Sequence, residues 1–294
     1  MRFNTPLRYP GGKGKLIDFI KFVIEQNNLL DGHYVEPYAG GAGIAFTLLF
    51  LEHASCIHLN DLNKSVYAFW HSVLHDNDAL CAKIEKVDVT MTEWFKQKEI
   101  QQEPQRYSML DLGFSTFFLN RTNRSGIING GVIGGKNQSG KWKLDARFNK
   151  VDLIQRIQKI VRYSNKIRLY NTDAEVFIST VLPALPDKTL VYLDPPYYVK
   201  GRGLYENHYV HKDHDRVSKL VQSSIKQRWI VSYDNATEVN AMYSQRRKVV
   251  YGINYSAAVR YTGAEVMFFC DSLIIPGINN HTNLKPCKGS ISFP

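Results

Sequence analysis

Apolar runs that alternate with helical patterns constrain the fold of this chain more than any other feature of the sequence. A run such as HYVEP (33–37) has the length of a buried strand, and GIAFTLLFLEH (43–53), which follows it, has a helical pattern. The predicted strands are 33–37, 55–61, 166–171, 189–194 and 227–234. Alternation of this kind favours an α/β fold, a mainly parallel sheet with helices on both faces.

The C-terminal part breaks this alternation. Two β-rich runs, RRKVVYGINYSA (246–257) and GAEVMFFCDSLII (263–275), follow one another with only a short segment between them. They predict a terminal hairpin, so at least one strand of the sheet should be antiparallel. The polar tail from about 277 is predicted to be disordered.

Residues 63–162 differ from the rest of the chain and are predicted to form an insertion. Their pattern is helical until about 119 and then becomes rich in glycine and basic residues. The stretch 120–150, called the basic segment below, contains seven Lys or Arg and one acid, which is +6 of the net charge of +10. A long polar loop is uncommon in a compact domain unless it is functional. We predict a catalytic domain of 1–62 and 163–294 and a charged recognition insertion of 63–162.

Composition narrows the class of protein. The pI near 9.3 favours a polyanionic partner. The four cysteines are widely spaced without a Cys-x-x-Cys pair, which argues against a disulfide framework or a zinc ribbon. The apolar stretches are shorter than a membrane span, and the first residues lack the apolar segment of a signal peptide. We expect a soluble, cytoplasmic protein that does not associate with membranes.

The stretch VYLDPPYYVK (191–200) ends a predicted strand with an acid, two prolines and two tyrosines. The prolines cannot donate backbone hydrogen bonds, and each biases the residue before it toward an extended backbone. Asp194 and the carbonyl of Pro195 therefore lie on a stiff corner. On its own, this corner could be a simple turn from strand to loop.

The glycine turn VEPYAGGAG (35–43) lies between the first predicted strand and the first predicted helix. Glycines there allow a ligand to approach the backbone, and Asp61 at the end of the second strand can bind ribose hydroxyls. Phe46 replaces the last glycine of the dinucleotide pattern, and Glu36 would repel a pyrophosphate. S-adenosylmethionine (SAM), a cation without phosphates, fits the turn better. A turn that serves only packing is the alternative.

Four motifs in this order resemble those of Dam-like DNA adenine-N6 methyltransferases of the alpha group, the D12 class. They are RYPGGKGKL (8–16), VEPYAGGAG (35–43), NRTNRSG (120–126) and DPPY (194–197), and together they span most of the chain. The resemblance implies a Rossmann-like SAM-dependent methyltransferase fold with a seven-stranded sheet and an antiparallel terminal hairpin. It also implies SAM as cofactor and double-stranded DNA as partner, with a flipped-out adenine as the target.

The resemblance also assigns roles to individual residues. Asp173, in NTDAEVF, would accept a hydrogen bond from the adenine of SAM, although Ala174 stands where the family often has Phe. The residues expected to bind SAM are Tyr9, Gly11, Gly12, Lys13, Glu36, Pro37, Tyr38, Gly40, Gly43, Asp61, Asp173 and Asp194. The expected catalytic residues are Asp194, Pro195, Pro196 and Tyr197.

The chemistry of adenine methylation explains the corner. The exocyclic amine is a poor nucleophile, and two fixed acceptors, the Asp194 carboxylate and the Pro195 carbonyl, can orient its hydrogens. Tyr197 would stack on the base, which must first be flipped out of the duplex at a cost of a few kcal/mol. The reaction requires no metal ion, and we expect none.

The basic segment is the predicted DNA surface. Arg and Asn side chains read guanine and adenine edges. The Arg and Asn residues of this segment could also be ordinary surface residues or partners in salt bridges. The expected DNA-binding residues are Arg121, Asn123, Arg124, Lys136, Lys141 and Lys143. Cytosine-N4 methylation, RNA adenine methylation and a catalytically silent nucleic-acid-binding role remain alternatives. A cognate restriction endonuclease is a candidate partner, and we expect a monomer or a weak dimer.

Overall fold

The computed structural model describes residues 4–8, 13–199, 209–255, 261–276 and 285–292. Its helices are α1 (Ile17–Gln26), α2 (Gly43–Phe50), α3 (Lys64–His75), α4 (Asn77–Lys86), α5 (Met91–Gln102), α6 (Met109–Thr122), α7 (Lys150–Val161), α8 (Ala174–Thr180), α9 (His211–Ser224) and α10 (Thr237–Met242). Its strands are β1 (Gly32–Glu36), β2 (Ala54–Asn60), β3 (Ile167–Tyr170), β4 (Thr189–Leu193), β5 (Arg228–Asp234), β6 (Arg247–Tyr255), β7 (Tyr261–Phe269) and β8 (Lys285–Ser292). Within the described ranges, every helix is too short or too polar to cross a membrane.

The chain divides into two compact units. The first consists of Met1–Gly12 and Asn63–Asn171, and the second of Lys13–Leu62 and Thr172–Pro294. The predicted recognition insertion, 63–162, falls within the first unit, and its role stays a prediction. The first unit contains α3 to α7 and β3, whereas the second contains the other helices and strands.

Seven strands of the second unit form one mixed sheet in the order β2-β1-β4-β5-β7-β6-β8. β1 pairs in parallel with β2 and β4, and β4 pairs in parallel with β5. β7 is antiparallel to β5 and to β6, which confirms the predicted terminal hairpin. The Rossmann-like α/β fold is therefore confirmed.

The polar tail differs from its prediction. Residues 285–292 form β8, which pairs antiparallel with β6, whereas the sequence predicted disorder there. An edge strand presents a row of unpaired N–H and C=O groups, and a further strand satisfies them whatever the polarity of its side chains. Polarity alone was therefore a poor guide to this segment.

Burial explains why the central strands are continuous apolar runs. All five residues of β4 are buried, and in β5 only Arg228 is not. Strands that are covered on both faces lack the polar–apolar alternation of half-exposed strands. Because β1, β2, β4 and β5 are parallel, their carboxyl ends lie along one edge of the sheet.

The first unit is built around α6, which is buried along most of its length. A Cβ at Gly113 of α6 would lie 2.5 Å from the Ala68 carbonyl oxygen of α3. Glycine therefore allows α3 and α6 to approach closely, and the rings of Phe69 and Phe117 stack at 5.8 Å. This helical core supports the basic segment that follows α6.

Polar residues precede several helices and cap the backbone N–H groups of the first turn, which have no partner within the helix. The side chains of Asn63, Ser108 and Asn149 accept hydrogen bonds from backbone N–H groups in the first turns of α3, α6 and α7. Asp173 does the same for α8. Such a cap stabilises a helix by about 1 kcal/mol.

Candidate active site at the carboxyl ends of the strands

The glycine turn after β1 is held by the acid that follows β2. The Gly40 N–H donates to Asp61 Oδ2 at 2.8 Å, and the Ala39 N–H donates to the Asn60 carbonyl at 2.8 Å. Gly40 has φ +46°, a left-handed conformation that glycine adopts without strain. The turn and Asp61, predicted from separate motifs, therefore lie together.

Asn60 connects three segments of this edge. Its Nδ2 donates to the carbonyls of Pro37 and Thr172, both at 3.0 Å, and its Oδ1 accepts from the Thr172 N–H at 3.0 Å. The glycine turn, the end of β2 and the segment before α8 are thus fixed relative to one another. Sequence reasoning missed Asn60, because nothing in its neighbourhood indicates partners so distant in the chain.

Glu36 lies beneath the turn and not on its surface. It is buried, and its Oε1 accepts a hydrogen bond from the Ala45 N–H of α2 at 3.2 Å. Burial raises the pKa of this carboxyl to about 8. The carboxyl group thus serves the start of α2, and the predicted role of Glu36 in binding SAM stays a prediction.

The other predicted cofactor residues of the second unit lie around the same edge. Asp173 Oδ1 accepts from the Glu175 N–H at 2.8 Å. The Tyr38 hydroxyl lies 3.2 Å from that of Tyr209, whose ring meets the Tyr38 ring edge-on. Tyr9, Gly11 and Gly12 lie outside the described residues, so their predicted roles stay predictions.

The catalytic corner, residues 194–197, begins where β4 ends. Asp194 Oδ1 accepts from Ser232 Oγ of β5 at 2.8 Å, and the Tyr192 hydroxyl lies 2.8 Å from the same Ser232 Oγ. Lys13 Nζ lies 3.3 Å from Asp194 Oδ1. Within the described part of the chain, Oδ2 has no hydrogen-bond or ion-pair partner, and the side chain is 27% exposed.

Asp234 at the end of β5 fixes the chain beyond the prolines. Its two carboxylate oxygens accept from the N–H groups of Tyr198 and Val199, at 2.8 and 2.9 Å. Prolines cannot supply such bonds, so the two residues after the catalytic corner anchor it. Sequence reasoning did not assign Asp234 a role, although its position after a buried strand matches that of Asp194.

Glu265 of β7 is the third residue that sequence reasoning missed, after Asn60 and Asp234. It is fully buried, and it accepts hydrogen bonds from Lys13 Nζ at 2.6 Å, from the Tyr197 hydroxyl at 2.7 Å and from the Tyr251 hydroxyl at 2.8 Å. An acid inside the apolar run AEVMFF was the available signal, because a buried carboxylate needs donors. Lys13, which the resemblance predicts to bind SAM, lies between Asp194 and Glu265, and its predicted role stays a prediction.

The charges of this network shift one another. Burial raises the pKa of Asp194, while Lys13 lowers it and Glu265 raises it further. Burial alone would lower the pKa of Lys13, but Asp194, Tyr251 and Glu265 together hold it well above its ordinary value. Lys13 is therefore a permanent cation next to an acid that is more basic than an exposed aspartate.

In the first unit, two of the six predicted DNA-binding residues are buried. Asn123 accepts from Trp94 Nε1 at 2.7 Å and donates to the carbonyls of Ile127 and Ile128 at 2.9 and 2.8 Å. Arg121 Nε donates to the Arg147 carbonyl at 2.7 Å. These groups are committed to protein backbone and side chains, which argues against the predicted contact of Arg121 and Asn123 with bases.

The other four predicted DNA-binding residues are exposed: Arg124, Lys136, Lys141 and Lys143. The neighbouring Trp142 is 63% exposed, and Lys141 Nζ lies 5.8 Å from the centre of its ring. A shallow surface groove is lined by Arg124, Ile133, Gly134, Gly135, Ser139, Gly140, Lys141 and Trp142. Sequence reasoning did not single out Trp142, although an aromatic ring between two lysines is a signal for nucleic-acid binding.

Comparisons with known structures show weak similarity to methyltransferases. A Pyrococcus horikoshii protein provisionally named an RNA methyltransferase is 9% identical, with 91% of this chain and 88% of that chain covered and a TM-score of 0.43. A ribosomal RNA methyltransferase of Streptomyces viridochromogenes is 12% identical, with 86% and 84% covered and a TM-score of 0.34. TM-scores this low carry no argument about function.

The sequence families give a specific match. None of the curated proteins compared matches the chain at a significant level. A family profile described as D12 class N6 adenine-specific DNA methyltransferase matches residues 9–260. That range includes the glycine turn, the basic segment and the catalytic corner. The chain therefore belongs to the D12 class of N6 adenine-specific DNA methyltransferases.

Proposed function

We propose that the carboxyl edge of the sheet binds SAM as the methyl donor and that the catalytic corner orients the adenine amine. Asp61 would accept hydrogen bonds from the ribose hydroxyls and Asp173 from the adenine amine of SAM. The Gly40 N–H is already bonded to Asp61, and Glu36 lies buried beneath the turn. The turn is therefore poorly suited to phosphate, which supports a cofactor without phosphates.

When bound, SAM supplies an electrophilic methyl group, which the amine nitrogen takes while the sulfur leaves as a neutral thioether. The single observation that carries the proposal is the state of Asp194. Its Oδ1 is held by Ser232, and among the described residues Oδ2 accepts no hydrogen bond. Oδ2 and the Pro195 carbonyl can then each accept one amine hydrogen, and Asp194 is the nearest base for the proton that the nitrogen loses. Acceptors fixed before the substrate arrives are the main source of such catalysis.

We propose that DNA binds the exposed face of the basic segment through Arg124, Lys136, Lys141 and Lys143. Lysines that contact phosphates would supply affinity for any sequence, and Trp142 offers a ring on which a base can stack. Arg124 lines the same groove as Trp142, so it is the candidate among the six predicted residues for reading a base.

The test of the reaction is nucleoside mass spectrometry after incubation with SAM and unmethylated DNA or RNA. We expect N6-methyladenine in DNA. N4-methylcytosine, methylated RNA or no product would support one of the alternatives instead. Methylation-sensitive sequencing of DNA from expressing cells then gives the recognition site. A cognate restriction endonuclease remains a proposal. The monomeric or weakly dimeric state is also a proposal, which analytical sedimentation tests.

The test of the cofactor site is Asp61→Ala. Loss of a hydrogen bond between a charged group and its ligand costs about 1.5–3 kcal/mol. Calorimetry should therefore show SAM binding roughly 10- to 100-fold weaker, with DNA affinity nearly unchanged. An unchanged SAM affinity would remove Asp61 from the proposed site.

A further inference from the structure

Glu265 is a buried acid whose surroundings the methyl-transfer reaction alone does not explain. In the sheet it lies opposite Asp234 of β5 and Tyr251 of β6, and it has no exposed surface. Burying a carboxylate is unfavourable unless donors surround it, and removing one partner of such a network is strongly destabilising. Among the described residues, donors from three different segments meet this acid, so the chain maintains it at a considerable cost in desolvation.

Glu265 holds Lys13 more closely than Asp194 does. Lys13 Nζ lies 2.6 Å from Glu265 Oε2 and 3.3 Å from Asp194 Oδ1. Without Glu265, the only carboxylate near the ammonium group in the described network would be Asp194, and a close ion pair there would compete with the target amine for its oxygens. The observed geometry gives Asp194 a neighbouring positive charge and leaves its Oδ2 without a hydrogen bond from the described residues.

Glu265 also determines the total charge of the site. When all three side chains are ionised, Lys13 contributes one positive charge and Asp194 and Glu265 one negative charge each, which sum to −1. During methyl transfer, positive charge develops on the amine nitrogen. A negative, preorganised environment stabilises that charge, whereas a neutral Lys13–Asp194 pair would do so much less.

We propose that Glu265 is a positioning residue for methyl transfer: it holds Lys13 away from the target-facing oxygen of Asp194, fixes the Tyr197 hydroxyl and keeps the site negatively charged. This inference rests on the proposed role of Asp194 as the acceptor for the target amine. Glu265 itself contacts neither the amine nor the methyl group.

The pH dependence of the site is the sharpest readout. The acid limb of the rate profile, the fall in methylation rate at low pH, should report the protonation of Asp194. The neighbouring tyrosines have raised pKa values and stay neutral. Within the part of the chain that the structure describes, the titratable groups around Asp194 include Lys13, Tyr34 and Glu36 of β1, Tyr192 of β4, Tyr197, Tyr233 and Asp234 of β5, Tyr251 of β6 and Glu265 of β7. Of these, Glu265 is the carboxylate that raises the pKa of Asp194.

The experiment is Glu265→Gln, assayed by methyl transfer to unmethylated plasmid DNA. We expect the rate to fall about tenfold or more, the acid limb to move to lower pH, and the SAM affinity measured by calorimetry to change less than twofold. In the protein without SAM, a carbon NMR titration of labelled aspartate carboxyls should show the Asp194 signal, assigned with Asp194→Asn, titrating at lower pH. Glu265→Asp keeps the charge and should slow the reaction without moving the acid limb.

Two further variants control for structure. Tyr251→Phe removes one donor without a charge and should lower the rate modestly at an unshifted acid limb. Tyr243→Phe removes a buried hydroxyl outside this network and should leave the profile unchanged. If Glu265→Gln does not fold, Glu265→Asp still decides, because wild-type rates in that variant would overturn the positioning role.

The outcomes separate this inference from the proposed function. The inference would be overturned if Glu265→Gln had the wild-type rate. It would also be overturned if the variant were slower but its acid limb and the titration of Asp194 did not move. In either case, an inactive Asp194→Asn enzyme would leave the proposed function intact. An active Asp194→Asn enzyme would instead refute the role of Asp194 on which both depend.

Discussion

The catalytic corner and the basic segment use similar polar side chains in opposite ways. At the catalytic corner, charged groups are buried, and a network of Lys13, Glu265 and Ser232 holds the Asp194 carboxylate through its Oδ1. In the basic segment, Asn123 is buried and shapes the loop, whereas Lys136, Lys141 and Lys143 are exposed. Catalysis needs a few groups fixed in place before the substrate arrives, whereas DNA affinity needs mobile charges that can follow phosphates. The residue type therefore does not reveal the role until its burial is known.

The largest effect that this comparison predicts is at the catalytic corner. Asp194→Ala removes one of two fixed acceptors and should slow methylation at least about a hundredfold, because loss of one preorganised partner has that size. SAM affinity should change much less than in Asp61→Ala. Single-turnover methylation measures the rate, with the exposed Asp187→Ala as the control. A near wild-type rate would mean that the corner is only a turn.

Within the basic segment, neighbouring residues should behave differently. Asn123→Ala leaves the buried Trp94 N–H without its acceptor and should cost about 1–3 kcal/mol of unfolding free energy. Arg124→Ala should leave the melting temperature unchanged and alter DNA affinity or site preference. Thermal unfolding and DNA binding of both variants test this contrast. If Asn123→Ala kept full stability but lost site preference, the original base-reading role would be restored.

The exposed lysines should each add to DNA affinity, whatever the sequence of the DNA. Neutralising Lys136, Lys141 and Lys143 together should flatten the dependence of log affinity on log salt by up to about 0.9 for each phosphate that the protein then leaves unneutralised. Binding titrations at several salt concentrations measure this slope. Neutralising Lys21, Lys188 and Lys226, which belong to the second unit, provides the control. An unaltered slope in the first variant would move the DNA surface elsewhere.

Glu36, an acid buried without a counter-ion among the described residues, should make the stability of the protein depend on pH. Its pKa of about 8 in the folded protein exceeds the ordinary 4.5, so the folded state binds more protons between these values. Its contribution to stability is full below about pH 4.5 and is lost as the pH rises through about 8. The free energy of unfolding of Glu36→Gln, taken relative to that of the wild type at the same pH, should therefore be larger at pH 9 than at pH 5. Melting curves at both pH values measure this, with the exposed Glu99→Gln as control. If the difference in melting temperature between Glu36→Gln and the wild type were the same at pH 5 and pH 9, the raised pKa of Glu36 would be wrong.

The sequence by itself determined the fold class and the edge of the sheet at which the site lies. Apolar runs bounded by turns predict strands because burial on both faces selects continuous apolar residues. Parallel strands place Glu36, Asp61 and Asp194 at one edge, so their motifs could be joined without coordinates. The family resemblance was visible for the same reason, since its motifs are local in sequence.

Only the tertiary structure decided which polar groups are buried and which are accessible. Glu265 lies 252 residues from its partner Lys13, and Asn60 reaches Thr172 across 112 residues; no local pattern indicates such pairs. Arg121 and Arg124 are three residues apart in one motif, yet the first is buried and the second exposed. The reason is physical: a side chain is desolvated by whatever packs against it, and in these cases the packing partners come from distant parts of the chain.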